Sequence, residues 1–216
     1  MSIKKYLDKF RNAEYVNLVG PLCQEPWVHN DPTIYVDGGA LFRDGSKGWS
    51  VGDGDSAGFE LDEMLNPYKD ESDLAYVLTQ LTKLGPDLRL AGFLGGRKDH
   101  ELFNLGELNR YLEQSPGANH ALFDDLIIGI SAGVWNLDIN GLFSLASVSH
   151  GHAKMSGACR YAIPPGTPIV PLSSYGLSNV GTGNIEISTN VPLFLFHSES
   201  DTVISKPRPI KNDGLI

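Results

Sequence analysis

The sequence predicts a mixed α/β protein, with a largely parallel α/β domain followed by an all-β sandwich. Up to about residue 116, short apolar segments alternate with segments of helical periodicity, which is typical of a parallel sheet with flanking helices. Beyond residue 120, strand-like segments follow one another between glycines and prolines, without a segment of helical period. We therefore expect domains at 1–116 and 117–200 and a polar tail at 201–216.

The first half is predicted to begin with an amphipathic helix over residues 1–12 and then to alternate strands with helices. Short apolar runs predict four strands, at Tyr15–Val19, Thr33–Val36, Trp49–Val51 and Leu88–Phe93. Helical spacing predicts two helices, with buried sides formed by Leu74, Val77, Leu78 and Leu81 and by Leu102, Leu105, Leu108 and Leu112. Because ligands of parallel sheets bind beyond the carboxyl ends of the strands, the loops after these strands are the expected position of a site.

The second half is predicted to form a β-sandwich or barrel. Strands are expected at Leu126–Ile130, Val134–Ile139, Leu142–Val148, Arg160–Ile163, Ile169–Leu172, Ile185–Ser188 and Leu193–His197. Asn140-Gly141, between two of these segments, is a strong signal for a two-residue hairpin turn. The last two strands are expected to present apolar faces that need partners. Residues after 199 are polar and are predicted to form a loose tail.

Composition and charge restrict the class of function. The chain has 216 residues and a net charge of −9 with a pI near 5.0, which argues against nucleic acid as the main partner. Cys23 and Cys159 lie far apart and outside any C-x-x-C motif, as expected in a reducing compartment. No apolar run approaches the ~20 residues that span a bilayer, and residues 1–11 lack the apolar stretch of a signal peptide. A cytoplasmic protein without a membrane partner is therefore expected.

Two aspartates in a glycine-rich loop are the central feature of the sequence. Val51-Gly52-Asp53-Gly54-Asp55-Ser56 places two carboxylates two residues apart, directly after a predicted strand. Glycine permits tight turns and close approach of the backbone to a ligand, and the two carboxylates could share one hard cation. They would repel a bare phosphate, so a phosphate could bind here only through Mg²⁺. The same residues are also typical of a solvated turn.

Two further polar loops have the same two interpretations. Asp37-Gly38-Gly39-Ala40 follows the second strand and combines a carboxylate with two glycines, which suits contact with a nucleotide as well as a structural turn. Lys69-Asp70-Glu71-Ser72-Asp73 precedes a predicted helix. Asp70 could be the N-cap of that helix and Asp73 could lie in its first turn, so capping alone would explain both aspartates.

A basic loop, Gly95-Gly96-Arg97-Lys98-Asp99-His100, follows the fourth strand. Its glycines allow close approach of the backbone, Arg97 can bind phosphate oxygens through two parallel hydrogen bonds, and Asp99 could cap the next helix. The sequence contains no G-x-x-x-x-G-K-[ST], G-x-S-x-G or H-E-x-x-H motif. Phosphoryl chemistry would therefore require an acidic metal site instead of a P-loop.

Taken in order, these motifs resemble those of the thiamine pyrophosphokinases, especially the compact bacterial form. Asp37–Ala40 is similar to that family's D-G-G-A, Gly52–Ser56 to its G-D-F-D-S, Lys69–Asp73 to its K-D-x-T-D and Gly95–His100 to its G-G-R-x-D-H. Gly157–Tyr161 is similar to its G-L-K-Y and Gly176–Asn179 to its G-x-S-N. The likeness runs from about Tyr15 to His197, and six motifs in the right order are more specific than any one of them.

The resemblance implies a homodimer that transfers pyrophosphate from Mg·ATP to the hydroxyl of thiamine and releases AMP. Mg²⁺ would be held by Asp37, Asp53, Asp55 and Asp73, and catalysis would depend on Asp53, Asp55, Asp73 and Arg97. ATP would be bound by Asp37, Gly38, Gly39, Lys69, Asp70 and Ser72. Thiamine would be bound near the subunit interface by Asp99, His100, Ser178 and Asn179.

The chain departs from the family pattern in four places: Gly54 replaces an aromatic residue, Ser72 replaces threonine, Leu41 replaces asparagine, and Ala158-Cys159 replaces the leucine beside Arg160. Three other hypotheses stay open. The chain could be a pyrophosphokinase for another heteroaromatic alcohol, a glycosyltransferase with a metal-binding D-x-D, or a relative that binds a nucleotide or thiamine derivative without turnover. The short chain and β-rich second half argue against the glycosyltransferase, and the retained carboxylates argue against loss of activity.

Overall fold

The structure is a computed structural model, and it describes residues 3–8, 13–24, 31–45, 47–55, 58, 60–197 and 202–210. Two compact units divide the chain. The first comprises Met1–Pro116 and Ala121–Asp124, and the second comprises Gly117–His120 and Asp125–Ile216. Helices and strands are both present, so the mixed α/β class predicted from the sequence is confirmed. No helix within the described ranges combines the length and the apolar character needed to cross a membrane.

A parallel sheet forms the centre of the first unit. Its strands are β1 (Tyr15–Val19), β2 (Thr33–Val36), β3 (Trp49–Gly52), β4 (Glu63–Met64), β5 (Asp87–Ala91) and β6 (His120–Phe123). They pair in the order β4-β3-β2-β1-β5-β6, and each of these pairs is parallel. Every residue of β1, β2 and β3 is buried, as is typical of parallel strands covered on both faces. Because the strands are parallel, their carboxyl ends lie along one edge of the sheet.

The helices of the first unit are α1 (Ile3–Leu7), α2 (Asp73–Thr82) and α3 (Lys98–Gln114), and a 3₁₀ turn runs over Asp37–Phe42. In α2, the four residues predicted to face inward are all buried. In α3 the prediction is partly wrong, because Leu102 is 48% exposed, whereas Leu108 and Leu112 are buried. The core is covered by the second half of α3, where Tyr111 is buried and donates a hydrogen bond to the carbonyl of Pro86.

An antiparallel sheet forms the second unit. Its strands are β7 (Ile127–Ile130), β8 (Gly133–Ala146), β9 (Gly151–Cys159), β10 (Ile163–Ile169), β11 (Asn179–Thr189), β12 (Leu193–His197), β13 (Val203–Ile204) and β14 (Arg208–Pro209). They pair in the order β10-β9-β11-β8-β12-β7, and β13 and β14 also pair with β8. Trp135, Phe143 and Phe194 are the largest fully buried side chains of this unit. Such large aromatic side chains dominate the energetics of a core.

The hairpin predicted at Asn140-Gly141 is wrong. Strand β8 continues through both residues, and Asn140 is paired with Thr182 of β11 on one side and Val203 of β13 on the other. Gly141 has a φ of 125°, which glycine adopts without a steric penalty. Because strands on both sides supply partners for the backbone groups, the extended path satisfies them, and the turn preference of Asn-Gly is overridden.

Part of the predicted loose tail, residues 202–210, lies along β8. Strands β13 and β14 pair with the first half of β8, beyond the reach of β12. Thr202 Oγ1 donates a hydrogen bond to the carbonyl of Leu142 at 2.7 Å, and Ser205 Oγ accepts one from Asp138 N at 2.9 Å. An uncovered strand edge presents unpaired backbone groups, so this segment protects the part of β8 that β12 leaves open. The rest of the predicted tail lies outside the described residues.

The strands predicted to need an outside partner are covered within the chain. Ile185, Ile187 and Leu193 are 0% exposed. The large apolar side chains that are exposed in the second unit lie instead at Leu142, Tyr161, Val170, Leu172, Tyr175, Leu177 and Val203.

Candidate active site

Three aspartates converge at the carboxyl edge of the parallel sheet. Asp37 directly follows β2, and Asp53 and Asp55 follow β3, the neighbouring strand. One carboxylate oxygen of each residue lies within 4.8 Å of the others. Asp37 and Asp53 are half-buried and Asp55 is exposed, so this acidic cluster of Asp37, Asp53 and Asp55 opens to solvent on the Asp55 side.

Close packing of the backbone brings the two loops together. A Cβ at Gly52 would lie 2.9 Å from Asp37 Cα and 3.3 Å from Asp73 Oδ2, so a larger residue would displace both aspartates. A Cβ at Gly39 would lie 2.0 Å from the carbonyl oxygen of Val19, which shows how closely the turn after β2 packs on β1. Asp37 has a φ of 51°, in the left-handed region that aspartate tolerates better than most residues. The glycines are therefore part of what positions the carboxylates.

Lys69 places a positive charge beside the acidic cluster. Its Nζ lies 2.6 Å from Asp73 Oδ1 and 3.6 Å from Asp53 Oδ2, and the exposed fractions of the Lys69, Asp73 and Asp53 side chains are 17%, 11% and 18%. Burial lowers the pKa of Lys69, but the hydrogen bonds and charges of Asp73 and Asp53 outweigh this effect and hold the pKa above its ordinary 10.5. Lys69 is therefore charged at neutral pH and neutralises part of the negative charge.

The start of α2 brings Asp73 and Lys69 to this edge. The N-cap predicted at Asp70 is wrong, because Ser72 has the extended backbone of a cap and its Oγ accepts a hydrogen bond from Ala75 N at 3.1 Å. Asp73 lies in the first turn of the helix, as predicted, where the helix dipole favours a carboxylate. Asp70 is exposed.

Ser72→Ala is expected to lower the free energy of unfolding by about 1 kcal/mol, because Ala75 N loses its acceptor. Asp73 follows directly, so a frayed first turn should also loosen its contact with Lys69. Thermal unfolding tests this, with Ser72→Thr, which retains the oxygen, as the matched control. A Ser72→Ala variant as stable as the parent protein would contradict the capping role.

Arg97 and Asp99 form an exposed ion pair at the start of α3. Arg97 Nε and Nη2 donate to Asp99 Oδ1 and Oδ2 at 3.1 and 2.5 Å. This hydrogen bonding raises the pKa of Arg97 and lowers that of Asp99. The cap predicted at Asp99 is wrong, because the helix begins at Lys98 with Arg97 as its N-cap residue, so Asp99 falls in the first turn.

The segment between β5 and Arg97 is held by Asp124, which belongs to none of the sequence motifs, and by Glu101 and Asn104, which extend the family likeness of Gly95–His100. Asp124, directly after β6, accepts hydrogen bonds from three successive backbone amides, those of Gly92, Phe93 and Leu94. Glu101 of α3 accepts one from the next amide at 2.8 Å, and Asn104 donates one to a carbonyl of the segment at 3.1 Å. A signal was present in the sequence, because Asp124 ends a short apolar segment just as Asp37 and Asp53 do.

A groove of about 300 Å³ opens beside this segment. It is lined by Pro21, Leu22, Gly92, Phe93, Gly96, Arg97, His100 and Asn104. His100 therefore borders a space of ligand size in the first unit. The walls combine apolar side chains with a few polar groups, which is the usual character of a small-molecule site.

A second groove, of about 440 Å³, lies in the second unit. It is lined by Met155, Arg160, Tyr161, Ala162, Ile163, Tyr175, Gly176, Leu177 and Asn179. Asn179 is 4% exposed, and its amide accepts from Tyr161 N at 3.0 Å and donates to the carbonyl of Tyr161 at 2.7 Å. Ser178 is exposed and has a φ of 58°. Asn179 thus shapes the groove by holding the backbone of the Arg160–Tyr161 turn.

Solved structures of similar architecture carry a common description. The thiamin pyrophosphokinase from Geobacillus thermodenitrificans matches with a TM-score of 0.65 and 19% identity, over 86% of this chain and 98% of its own. The chain has the fold of the thiamine pyrophosphokinases. The enzyme from Bacillus subtilis matches with a TM-score of 0.64 and 18% identity over 85% and 98%, and that from Candida albicans with 0.63 and 12% over 87% and 89%. No protein-family model and no curated protein matches the sequence. The resemblance read from the motifs is confirmed at the level of the fold.

Within this thiamine pyrophosphokinase fold, the predicted site residues fall into three groups. Those at the carboxyl edge of β2 and β3 are Asp37, Gly38, Gly39, Asp53, Asp55, Lys69 and Asp73, with Asp70 and Ser72 beside them along the chain. Arg97, Asp99 and His100 follow β5 in the same unit, and Ser178 and Asn179 belong to the second unit. Ser56 lies outside the described residues.

Proposed function

We propose that this protein transfers pyrophosphate from Mg·ATP to the hydroxyl of thiamine, giving thiamine diphosphate and AMP. The observation that carries the proposal is the convergence of Asp37, Asp53 and Asp55 within 4.8 Å at the carboxyl edge of a parallel sheet. Like charges held this close repel one another, so the cluster suits a site that works with a bound cation. The fold of the thiamine pyrophosphokinases indicates which reaction such a site would serve.

The acidic cluster fits a divalent metal ion with oxygen ligands. Oxygens bound to one octahedral Mg²⁺ at about 2.1 Å lie about 3 to 4.2 Å apart, so carboxylates within 4.8 Å of one another need only a small adjustment. Asp37, Asp53 and Asp55 would hold the ion, and Asp73, whose Oδ2 borders Gly52, would be a fourth ligand. A bound Mg²⁺ would neutralise charge that develops on the transferred group.

The side chains and backbone of the protein would position the nucleotide. Lys69 would bind a phosphate oxygen while it holds Asp73 in place, and Arg97 would bind the phosphate chain through its forked donors. The nucleotide would be bordered by Gly38, Gly39, Asp70 and Ser72. In the transfer, the acceptor hydroxyl oxygen bonds to the β-phosphorus, and the bond from that phosphorus to the oxygen bridging it to the α-phosphate breaks. AMP leaves with the bridging oxygen, and the hydroxyl proton passes to solvent.

Each half of the chain would bind one of the two substrates. We propose that residues 1–116 form the ATP-binding domain and residues 117–200 a β-sandwich that binds thiamine, in a cytoplasmic enzyme. Ser178 and Asn179, with Asp99 and His100, would form the acceptor side. The groove of about 440 Å³ beside Asn179 supports this assignment.

The decisive experiment is incubation of the protein with Mg·ATP and thiamine, followed by identification of the products. AMP should form only in the presence of an acceptor, in equal amount with thiamine diphosphate. ADP as the sole nucleotide product would contradict pyrophosphate transfer. Binding of Mg·ATP without turnover of any acceptor would favour a relative that has lost catalysis.

A second candidate keeps the reaction and changes the acceptor to another heteroaromatic alcohol. Arg160 lies over the ring of Tyr161, with its guanidinium carbon 5.4 Å from the ring centroid. A cationic acceptor such as thiamine would have to compete with Arg160 for that aromatic face. AMP formation with other alcohols, and none with thiamine, would favour this candidate.

Tyr161→Ala is expected to raise KM for the acceptor by about tenfold and to leave KM for ATP unchanged, because the ring borders the groove of the second unit. The turn should survive, since Asn179 binds the backbone of Tyr161 and not its side chain. Steady-state kinetics with each substrate varied in turn test this. Tyr161→Phe retains the ring and is the control, so its KM values should resemble those of the parent protein. If Tyr161→Ala has the same KM for the acceptor as the parent protein, the groove is not part of the acceptor site.

We propose that the protein is a homodimer in solution. Val170, Leu172, Tyr175 and Leu177 are between 51% and 62% exposed, and grouped apolar side chains on a surface are typical of an interface. Light scattering should therefore give twice the chain mass of 23.5 kDa, and Tyr175→Glu with Leu177→Glu should give the monomer. Val203→Glu, at another exposed apolar side chain, is the control. A fully active monomeric parent protein would contradict this prediction.

A further inference from the structure

We propose that Asp124 is a positioning residue of the nucleotide site, which fixes residues 92–97, the β5–α3 loop, and thereby the approach of Arg97 to the phosphate chain. The inference rests on the proposed function, because it concerns the same transfer. It assigns a role to a carboxylate that stands apart from the acidic cluster and from every motif in the sequence.

The Asp124 carboxylate binds three successive amides of the β5–α3 loop. One oxygen accepts from Gly92 N, and the other accepts from Phe93 N at 2.9 Å and from Leu94 N at 2.7 Å. Successive amides that converge on one point form a concave anion site, and here the anion is a side chain of the same unit. These amides are therefore engaged within the protein, and a phosphate would have to be bound by side chains.

The far end of the β5–α3 loop is fixed from α3. Glu101 Oε1 accepts from Gly95 N at 2.8 Å, and Asn104 Nδ2 donates to the carbonyl of Phe93 at 3.1 Å. The Arg97 side chain, by contrast, is 73% exposed, and its guanidinium forms an ion pair with the carboxylate of Asp99. A fixed backbone thus carries an exposed forked cation, which is the arrangement needed for directed binding of phosphate oxygens.

The loop needs such a constraint because of its glycines. Gly92 and Gly95 have φ values of 79° and 95°, and glycine loses more conformational freedom on folding than any other residue. A Cβ at Gly92 would lie 2.1 Å from Cys23 N, so no other residue type can stiffen the loop at that point. Hydrogen bonds that the loop amides donate to Asp124 supply the rigidity that the loop sequence lacks.

The backbone conformation of Asp124 allows Asp124→Asn to test the role of the carboxylate without disturbing the chain. Its φ of 48° is in the left-handed region, which asparagine also tolerates, so Asp124→Asn should keep the strand end. The amide nitrogen of asparagine cannot accept a hydrogen bond, so at least one loop amide loses its partner. The adjacent Asp125 has nearly the same φ, 51°, and is exposed, which makes Asp125→Asn a matched control.

The test combines amide hydrogen exchange with a double-mutant cycle. In Asp124→Asn, exchange at residues 92–94 should accelerate, and calorimetry should show affinity for Mg·ATP reduced by about tenfold. Because Asp124 is proposed to act through Arg97, Asp124→Asn combined with Arg97→Ala should bind no more weakly than Arg97→Ala alone. Asp125→Asn should match the parent protein in both measurements. If Asp124→Asn does not fold, Glu101→Gln, which weakens the bond to Gly95 N, takes its place in the cycle with the same expected non-additivity.

Two results would overturn the proposal while leaving the proposed function intact. The first is additive loss of affinity in the double variant, since Asp124 would then act independently of Arg97. The second is accelerated exchange at residues 92–94 with unchanged affinity for Mg·ATP. A parent protein that binds no Mg·ATP would instead overturn the proposed function and this inference together, even if exchange still showed the constraint on the loop.

Discussion

Replacement of Asp53 or Asp55 by asparagine is expected to reduce turnover by about a hundredfold or more, the usual effect of losing one preorganised electrostatic contact. The metal-free fold should be as stable as the parent, or slightly more so for Asp55→Asn, because each close pair of carboxylates repels by about 1–4 kcal/mol. Asparagine at position 53 keeps the Oδ1 that accepts from Asp55 N at 3.3 Å, so the turn itself should persist. Loss of activity without loss of stability would show that these carboxylates serve the reaction and not the turn.

Thermal unfolding with and without Mg·ATP, together with a turnover assay, measures this prediction. The cation should raise the melting temperature of the parent protein in the presence of nucleotide, and raise that of either variant much less. Asp44→Asn is the matched control, because Asp44 is exposed and pairs with Lys47 on the surface. A structural turn predicts the opposite result, in which the variants lose about 1 kcal/mol and keep their activity. Unchanged turnover in both variants would exclude the metal site.

Lys69→Met is expected to reduce turnover by a comparable factor and also to destabilise the metal-free protein, by about 1–3 kcal/mol. Its Nζ lies 2.6 Å from Asp73 and 3.6 Å from Asp53, whose side chains are only 11% and 18% exposed, so the variant leaves two partly shielded negative charges uncompensated. Mg²⁺ should restore part of the lost stability, because it neutralises the same carboxylates. Lys69→Met should therefore lower the stability of the metal-free protein, whereas Asp53→Asn and Asp55→Asn should not.

The effect of Lys69→Met should depend on pH. Since the pKa of Lys69 is raised above 10.5 in the folded protein, the stabilisation by its ammonium is fully present below pH 10.5 and is lost as the pH rises through the folded value. Denaturant unfolding of the two proteins should therefore differ most near neutral pH and converge in strongly alkaline solution. Lys47→Met removes an exposed pair and should have little effect at any pH. A Lys69→Met variant with parental stability at pH 7 would contradict the ion-pair assignment.

Strands whose burial is visible in their own residues were predictable from the sequence. The predicted bounds Tyr15–Val19, Thr33–Val36 and Leu193–His197 agree with β1, β2 and β12. These strands are short apolar runs between turn residues, so local pattern and tertiary environment favour the same conformation. Helix α2 was predictable for the same reason, because its buried residues recur at helical spacing.

Local pattern failed where distant segments decide what a residue contacts. Asn140-Gly141 has the local preference of a turn, but β11 and β13 pair with it on both sides. Leu102 has the spacing of a buried helical residue, but the core meets α3 farther along the helix. Residues 202–210 are too polar to suggest strands, yet they cover an open edge of β8. In each case the deciding partner lies far away in the sequence.

The acidic loops were predictable as a candidate site, because carboxylates at the ends of neighbouring parallel strands meet at one edge of the sheet. Hydrogen bonding within the site was not. Ser72 instead of Asp70 caps α2, because the helix begins at Asp73. The side-chain amide of Asn179 is hydrogen-bonded to the backbone of Tyr161. Asp124, which follows β6, binds three amides that follow β5.

The sequence by itself determined the mixed α/β class and, through motifs in a fixed order, the likeness to the thiamine pyrophosphokinase fold. It also marked Asp37, Asp53 and Asp55 as carboxylates that meet at one edge of the sheet. Tertiary structure alone decided how the carboxylates are held. Gly52 allows Asp37 and Asp73 to approach, Lys69 compensates the charges of Asp73 and Asp53, and Asp124 holds the loop before Arg97. The physical reason is that approach distances, charge compensation and hydrogen-bond partners depend on contacts between segments that are remote in the chain, which a local pattern does not encode.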